Sequence, residues 1–135
     1  MISQDTLRRM SAANNVAVEV VDGGRGRTAR QFVDFPHQLF HGCDKWVPQF
    51  RRDVRAVLGR RNPFFERGHA AFFVAFRHGR PVGTIAAIDN APFNLAHHSR
   101  IGHFHFFDSI DDREVSHALF GAACDWLRGR YPSAC

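Results

Sequence analysis

Apolar and polar positions first alternate at residues 16–22 (VAVEVVD), where Val16, Val18 and Val20 share one face. A period of two predicts a strand. Gly23, Gly24 and Gly26 then break it. The run GGRGR lacks both the G-x-x-x-x-G-K and the G-x-G-x-x-G spacing of phosphate-binding loops, and it reads as a flexible turn. Thr28 with Gln31 three residues on forms a capping box that predicts a helix burying Phe32, Phe35, Leu39 and Phe40, kinked or split at Pro36. Val54, Val57 and Leu58 place a second helix over residues 50–61, stopped by Asn62-Pro63. Residues 69–77 and 81–89 are β-rich runs joined by His78-Gly79, the pattern of an antiparallel hairpin. A loop is expected over residues 91–99 and another strand over 101–107 (IGHFHFF). Asp111 with Glu114 forms a second capping box, opening a helix to residue 128. Its stripe is Val115, Leu119, Ala122 and Trp126, widened by Phe120, Cys124 and Leu127.

The expected class is therefore α/β in the broad α+β sense: a mixed sheet with flanking helices. A chain of 135 residues is one domain. Residues 1–15 read as a helical or disordered lead-in, 16–130 as the domain and 131–135 as a tail. The 14 phenylalanines cluster around residues 64–65, 72–73 and 104–107, where aromatic burial builds a core.

The net charge of +5 comes from 17 arginines and Lys45. The arginines are scattered in pairs and mixed with acids, so no nucleic-acid footprint is expected. No apolar run is long enough to span a membrane. Three cysteines without a C-x-x-C pair argue against a disulfide scaffold or a structural zinc site. A cytoplasmic location is expected.

The hairpin AFFVAFRHGRPVGTIAAI resembles the second and third strands of the GNAT superfamily of acyl-CoA N-acyltransferases. The pieces DFPHQLFHGCDKWVP, NPFFERGHAAFF, GTIAAIDN and RIGHFHFFDSIDDREV are similar to a poorly characterised bacterial GNAT-like group. The resemblance covers most of residues 34–128. It implies amide formation from an acyl-CoA. A carboxylate base takes the proton of an amine, and backbone N–H groups polarise the thioester carbonyl. Carried onto this sequence, Asp108 at the end of the fourth strand is the first candidate base, and Glu66 before the hairpin is the second. The coenzyme pyrophosphate would sit on the backbone of Phe106, Phe107, Ser109 and Ile110, at the start of the following helix.

Two departures shape the functional expectation. The glycine-containing pyrophosphate loop of the superfamily is replaced by Asp108-Ser109-Ile110-Asp111-Asp112, whose carboxylates repel such a group. The fifth strand and all that follows it in a GNAT fold are expected to be missing. The chain then reads as the N-terminal portion of an acyltransferase-like domain, not competent alone and binding little or no acetyl-CoA by itself. In a longer parent, acetyl-CoA or another acyl-CoA would be the coenzyme. The alternatives are a cofactor-free binding or assembly module that retains the fold, or a non-functional truncated product. His103 and His105 share a strand face near His97 and His98, but the face reads as half-polar and no metal is expected. With no fifth strand, residues 101–107 form a sheet edge, and a homodimer through it is expected, with neither nucleic acid nor membrane as partner.

Overall fold

A computed structural model describes residues 15–131. Strand β1 (Val16–Val20) leads through a glycine turn into helix α1 (Arg27–Leu39) and then α2 (Arg51–Leu58). A single 3-10 turn (Pro63–Glu66) precedes β2 (His69–Arg77) and β3 (Arg80–Asp89). The short helix α3 (Ala91–Ala96), strand β4 (Gly102–Ser109) and the long helix α4 (Arg113–Arg130) complete the order. The sheet order is β1-β2-β3-β4. The α+β class and the central hairpin stand as expected, and all three strand pairings are antiparallel. A parallel strand, which a mixed sheet requires, is not found among the described residues.

The hairpin turns on His78 and Gly79, both at positive φ (51° and 75°), with Arg77 facing Arg80. Two left-handed central residues match the twist of the flanking strands. Alternation then splits the apolar run of β2 between two cores. Phe72, Val74 and Phe76 face α1 and α2, together with Phe32, Val33 and Leu58. Ala71, Phe73 and Ala75 face α4, where Val115, Leu119, Ala123 and Leu127 are fully buried. The buried stripe of α4 is thus 115-119-123-127, while Ala122 and Trp126 lie at its margin. Gly83 lets this helix approach: a Cβ there would lie 2.6 Å from Leu119 Cδ1 and 3.1 Å from the Asp108 carbonyl.

Several local expectations are corrected. Helix α1 starts at Arg27 behind Gly26 with no side-chain cap, because the Thr28 hydroxyl turns to Glu19 at 3.4 Å. Pro36 lies inside α1 without splitting it, since the proline costs one hydrogen bond while Phe32 and Phe35 remain buried. The cap of α4 is Asp112, one residue beyond the one expected, accepting from Glu114 N–H. Residues 91–96 are helical rather than loop, with the Asn90 side chain accepting from Phe93 N–H. Cys43 is a free, exposed thiol, whereas Cys124 is disulfide-bonded, which the cysteine spacing did not suggest. Nearly all of the expected lead-in, and the tail beyond Tyr131, lie outside the described residues.

Candidate functional site

The feature that organises β4 is a bulge. Thr84 faces Asp108 and Ala86 faces His105, so Phe106 and Phe107 together oppose the single residue Ile85. Phe106 takes up the extra length at φ 52°, a left-handed conformation unusual for a phenylalanine. Two interactions hold it there. The buried Thr84 hydroxyl donates to the Phe106 carbonyl at 2.8 Å. The Phe106 ring packs edge-on against Phe32 at 5.7 Å and tilts against Phe72 at 6.4 Å. Strain in a strand next to a cleft is a common mark of a functional position.

The bulge opens onto a cleft of about 440 Å³ between β4 and the α1–α2 segment, which Asp108, Thr84, His37 and Trp46 help to line. Trp46 anchors the connecting loop, stacked on Phe40 at 5.1 Å with His37 edge-on to its ring at 5.1 Å. Asp108 is half-buried, and its carboxylate has no hydrogen-bond or ion-pair partner among the described residues. Burial pushes its carboxyl above the ordinary value, partly offset by His105. His37 is lowered, first by burial and then by the Arg51 charge, against an opposing pull from Asp34. An unpartnered carboxyl in a cleft, with raised proton affinity, has the properties of a general base. Glu66 does not share this place: it sits on the exposed 3-10 turn and lines neither this cleft nor its neighbour.

The four backbone positions expected to hold a pyrophosphate divide. Phe106 and Phe107 stand at the bulge, outside the β3–β4 register. Ser109 is paired opposite Gly83, and Ile110 N–H donates to the Val82 carbonyl at 3.0 Å. The helix start beyond is filled by the protein itself. The Asp112 carboxylate accepts from Glu114 N–H at 2.9 Å and holds Arg77 at 2.7 Å, with Glu114 3.6 Å from the same guanidinium. Its hydrogen bond to Arg77 is the main reason Asp112 lies below the usual carboxylate range. The β4–α4 turn therefore does not fit a pyrophosphate: its acids already occupy the helix donors and the nearby cation.

A second cleft of about 510 Å³ shares His105 and Phe106 with the first and adds Phe64, Phe65, Phe72 and Phe93. Its lining is mainly apolar and aromatic, and a spacing pattern could not show it because its walls come from α2, the 3-10 turn, β2, the end of β3 with α3, and β4. His103 stands edge-on to Phe93 at 5.9 Å. No three His, Cys, Asp or Glu side chains converge on a common point among the described residues. No helix among them is long and apolar enough to cross a membrane.

No family model matches the chain, and no solved structure matches it. Two curated proteins do. The bacterial ceramide synthase of Caulobacter vibrioides (strain NA1000 / CB15N) is 32% identical over 120 residues, covering 87% of this chain and 31% of that protein. Protein YghO of Escherichia coli (strain K12) is 32% identical over 101 residues, covering 75% of this chain and 26% of that protein. The chain thus spans about a third or less of the length of the curated relatives it matches.

Proposed function

We propose that this chain forms the N-terminal portion of a GNAT-like N-acyltransferase domain, joining an acyl group to an amine. The carrying observation is the β4 bulge at Phe106–Phe107 with Asp108 beside it in the cleft. The similarity to a protein named bacterial ceramide synthase supports an acyl-transfer reading, because a ceramide is an amide of a long-chain amine. The aromatic cleft that continues past Phe106 suits an apolar chain, since ligand pockets of this kind are mostly apolar with few polar groups. In this reading the amine nitrogen attacks the thioester carbonyl, Asp108 accepts the proton that nitrogen loses, and the C–S bond breaks as the amide forms, the coenzyme leaving as its thiol with that proton. Backbone N–H groups at the bulge are the candidates to stabilise the oxygen that becomes negative. The acids of the β4–α4 turn leave this portion without a pyrophosphate seat, so the chain by itself is a poor binder of acetyl-CoA.

The test compares this chain with a fusion that adds the remaining segment of the C. vibrioides relative. Amide formation from long-chain acyl-CoA and a long-chain amine, read by mass spectrometry, is expected only in the fusion. Asp108→Asn should lower its rate by about 100-fold or more, the usual scale of a general base, and Glu66→Gln should leave it nearly unchanged. A folded fusion with no amide product, or one insensitive to Asp108→Asn, would remove the proposal.

A second reading is a cofactor-free binding or assembly module. The observation that favours it is the acid-filled start of α4, already neutralised by Arg77. Calorimetry separates the two: apolar amines that bind the fusion while no acyl-CoA does would favour the module.

A further inference from the structure

The glycine turn between β1 and α1 packs directly on α2. A Cβ on Gly24 would lie 2.9 Å from the Arg55 carbonyl oxygen and 3.2 Å from the Gly59 nitrogen, both backbone atoms. This close approach closes one side of a cavity of about 830 Å³. Arginines line it from two segments: Arg25 and Arg30 from the turn and α1, Arg52, Arg55 and Arg61 from α2 and the residues after it. Asp22 is the one carboxylate among the lining residues. Arg51, Arg77 and Arg130 each hold a carboxylate within 3.1 Å, and that is the usual fate of an arginine that serves the fold. The guanidinium groups of Arg25, Arg30, Arg55 and Arg61 make no ion pair or hydrogen bond among the described residues, and Arg52 comes only to 3.9 Å from the exposed Asp53. Helix α1, whose cap residue Gly26 also lines the cavity, has neither a side-chain cap nor an acid in its first turn.

We infer that this cavity is a binding site for the phosphate group of an anionic ligand, separate from the β4 cleft. Five like charges around one concave space repel one another, and a multiply charged anion relieves that repulsion. The guanidinium fork matches phosphate oxygens in pairs, which a lysine cluster would not do. The uncapped end of α1 adds its positive dipole at the rim. No aromatic side chain lines the cavity, so recognition rests on the phosphate rather than on a stacked base. The phosphate can belong to a soluble ester or pyrophosphate, or to an anionic lipid headgroup. The cavity shares no lining residue with the β4 cleft, so the two readings stand or fall separately.

The test uses the chain with two probes: pyrophosphate by calorimetry at low salt, and vesicles of phosphatidic acid in phosphatidylcholine by co-sedimentation. Arg55→Gln with Arg61→Gln should weaken binding of the favoured probe by about tenfold or more, the scale of lost charged hydrogen bonds. The matched pair Arg80→Gln with Arg113→Gln removes the same charge elsewhere and should change it by less than about twofold. Saturable pyrophosphate binding with this pattern assigns a soluble ligand. The same pattern seen only with vesicles assigns a headgroup. No saturable binding of either probe overturns the inference, as does an equal loss in both double variants. Thermal melts of the variants check that all remain folded. Gly24→Ala, which forces the turn off α2, should also weaken binding if the protein melts as a single folded species.

Discussion

At the residue scale, Asp89 makes the most consequential polar contact in the fold. It lies at the end of β3, 2% exposed, and accepts from Tyr131 Oη at 2.6 Å and Arg130 Nε at 2.7 Å. Burial alone would raise this carboxyl. The two donors outweigh burial and hold it below the usual carboxylate range. A depressed folded-state value stabilises the protein above the unfolded carboxylate value near ~3.9, and that contribution is lost as pH falls through the lower folded value. Acid titration of the melting temperature should show this loss, and Asp89→Asn should flatten it. Tyr131→Phe should cost about 1–2 kcal/mol by leaving a buried acceptor short of one donor, measured by urea unfolding. Thr84→Val should likewise cost about 1 kcal/mol, because the Phe106 carbonyl in the bulge loses its hydroxyl donor. None of these pairings was legible from spacing: 41 residues separate Asp89 from Arg130.

At the element scale, the clearest readings of the sequence were the hairpin and α4. The hairpin needs only a period of two and a turn residue pair, and α4 needs only its stripe. Both are local patterns, and local patterns survive the absence of tertiary information. What failed were cap details, the short helix after β3 and the C-terminal half of the α4 stripe, where Ala123 and Leu127 are buried in place of Ala122 and Trp126. Thr28 was read as a cap, yet it sits two residues past the cap position Gly26, and its hydroxyl finds Glu19 on β1. Helix α3 is six residues long, too short to display a period. Close packing of α4 on β3 yields a sharp prediction. Gly83→Ala should destabilise by about 1–3 kcal/mol, since the added methyl meets Leu119, Val115 and backbone in a filled space. Unfolding in guanidinium checks it, and an unchanged midpoint would mean that α4 is free to move outward. His78→Gly should act in the opposite sense by roughly 0.5–1 kcal/mol, because φ 51° is strained for any residue with a Cβ.

At the scale of the whole molecule, β4 pairs with β3 on one side and with no strand on the other among the described residues. Phe104 and Phe107 are about two-fifths exposed, at 41% and 40%. An apolar edge with unpaired backbone groups is a template for another strand. Sedimentation of the chain at micromolar concentration is expected to show a dimer, and a charged substitution such as Phe104→Lys is expected to shift it toward monomer. A monomer with a cooperative melt would mean that the edge is covered from within the chain.

The sequence by itself determined the class of fold, the hairpin and the existence of α4 with Val115 and Leu119 on its buried face, because each rests on residues within one segment, while Asp108 was nominated through the resemblance of residues 34–128. Its nomination of Glu66 rested on position before the hairpin, and the chain path carries that residue away from the cleft. Only the tertiary structure decided the register slip that makes the β4 bulge, since a bulge is a count of residues on one strand against those on its partner. Only it brought Arg77 onto Asp112, and Asp89 under Arg130 and Tyr131. The arginines make the same point most plainly. Along the chain they are scattered pairs among acids, and the GGRGR run has no phosphate-loop spacing. Folded, the glycine turn lies on α2 and five arginines from residues 25–61 line one cavity. Charge acts through space rather than along the chain, so a basic site assembled from two segments becomes visible only when the segments meet.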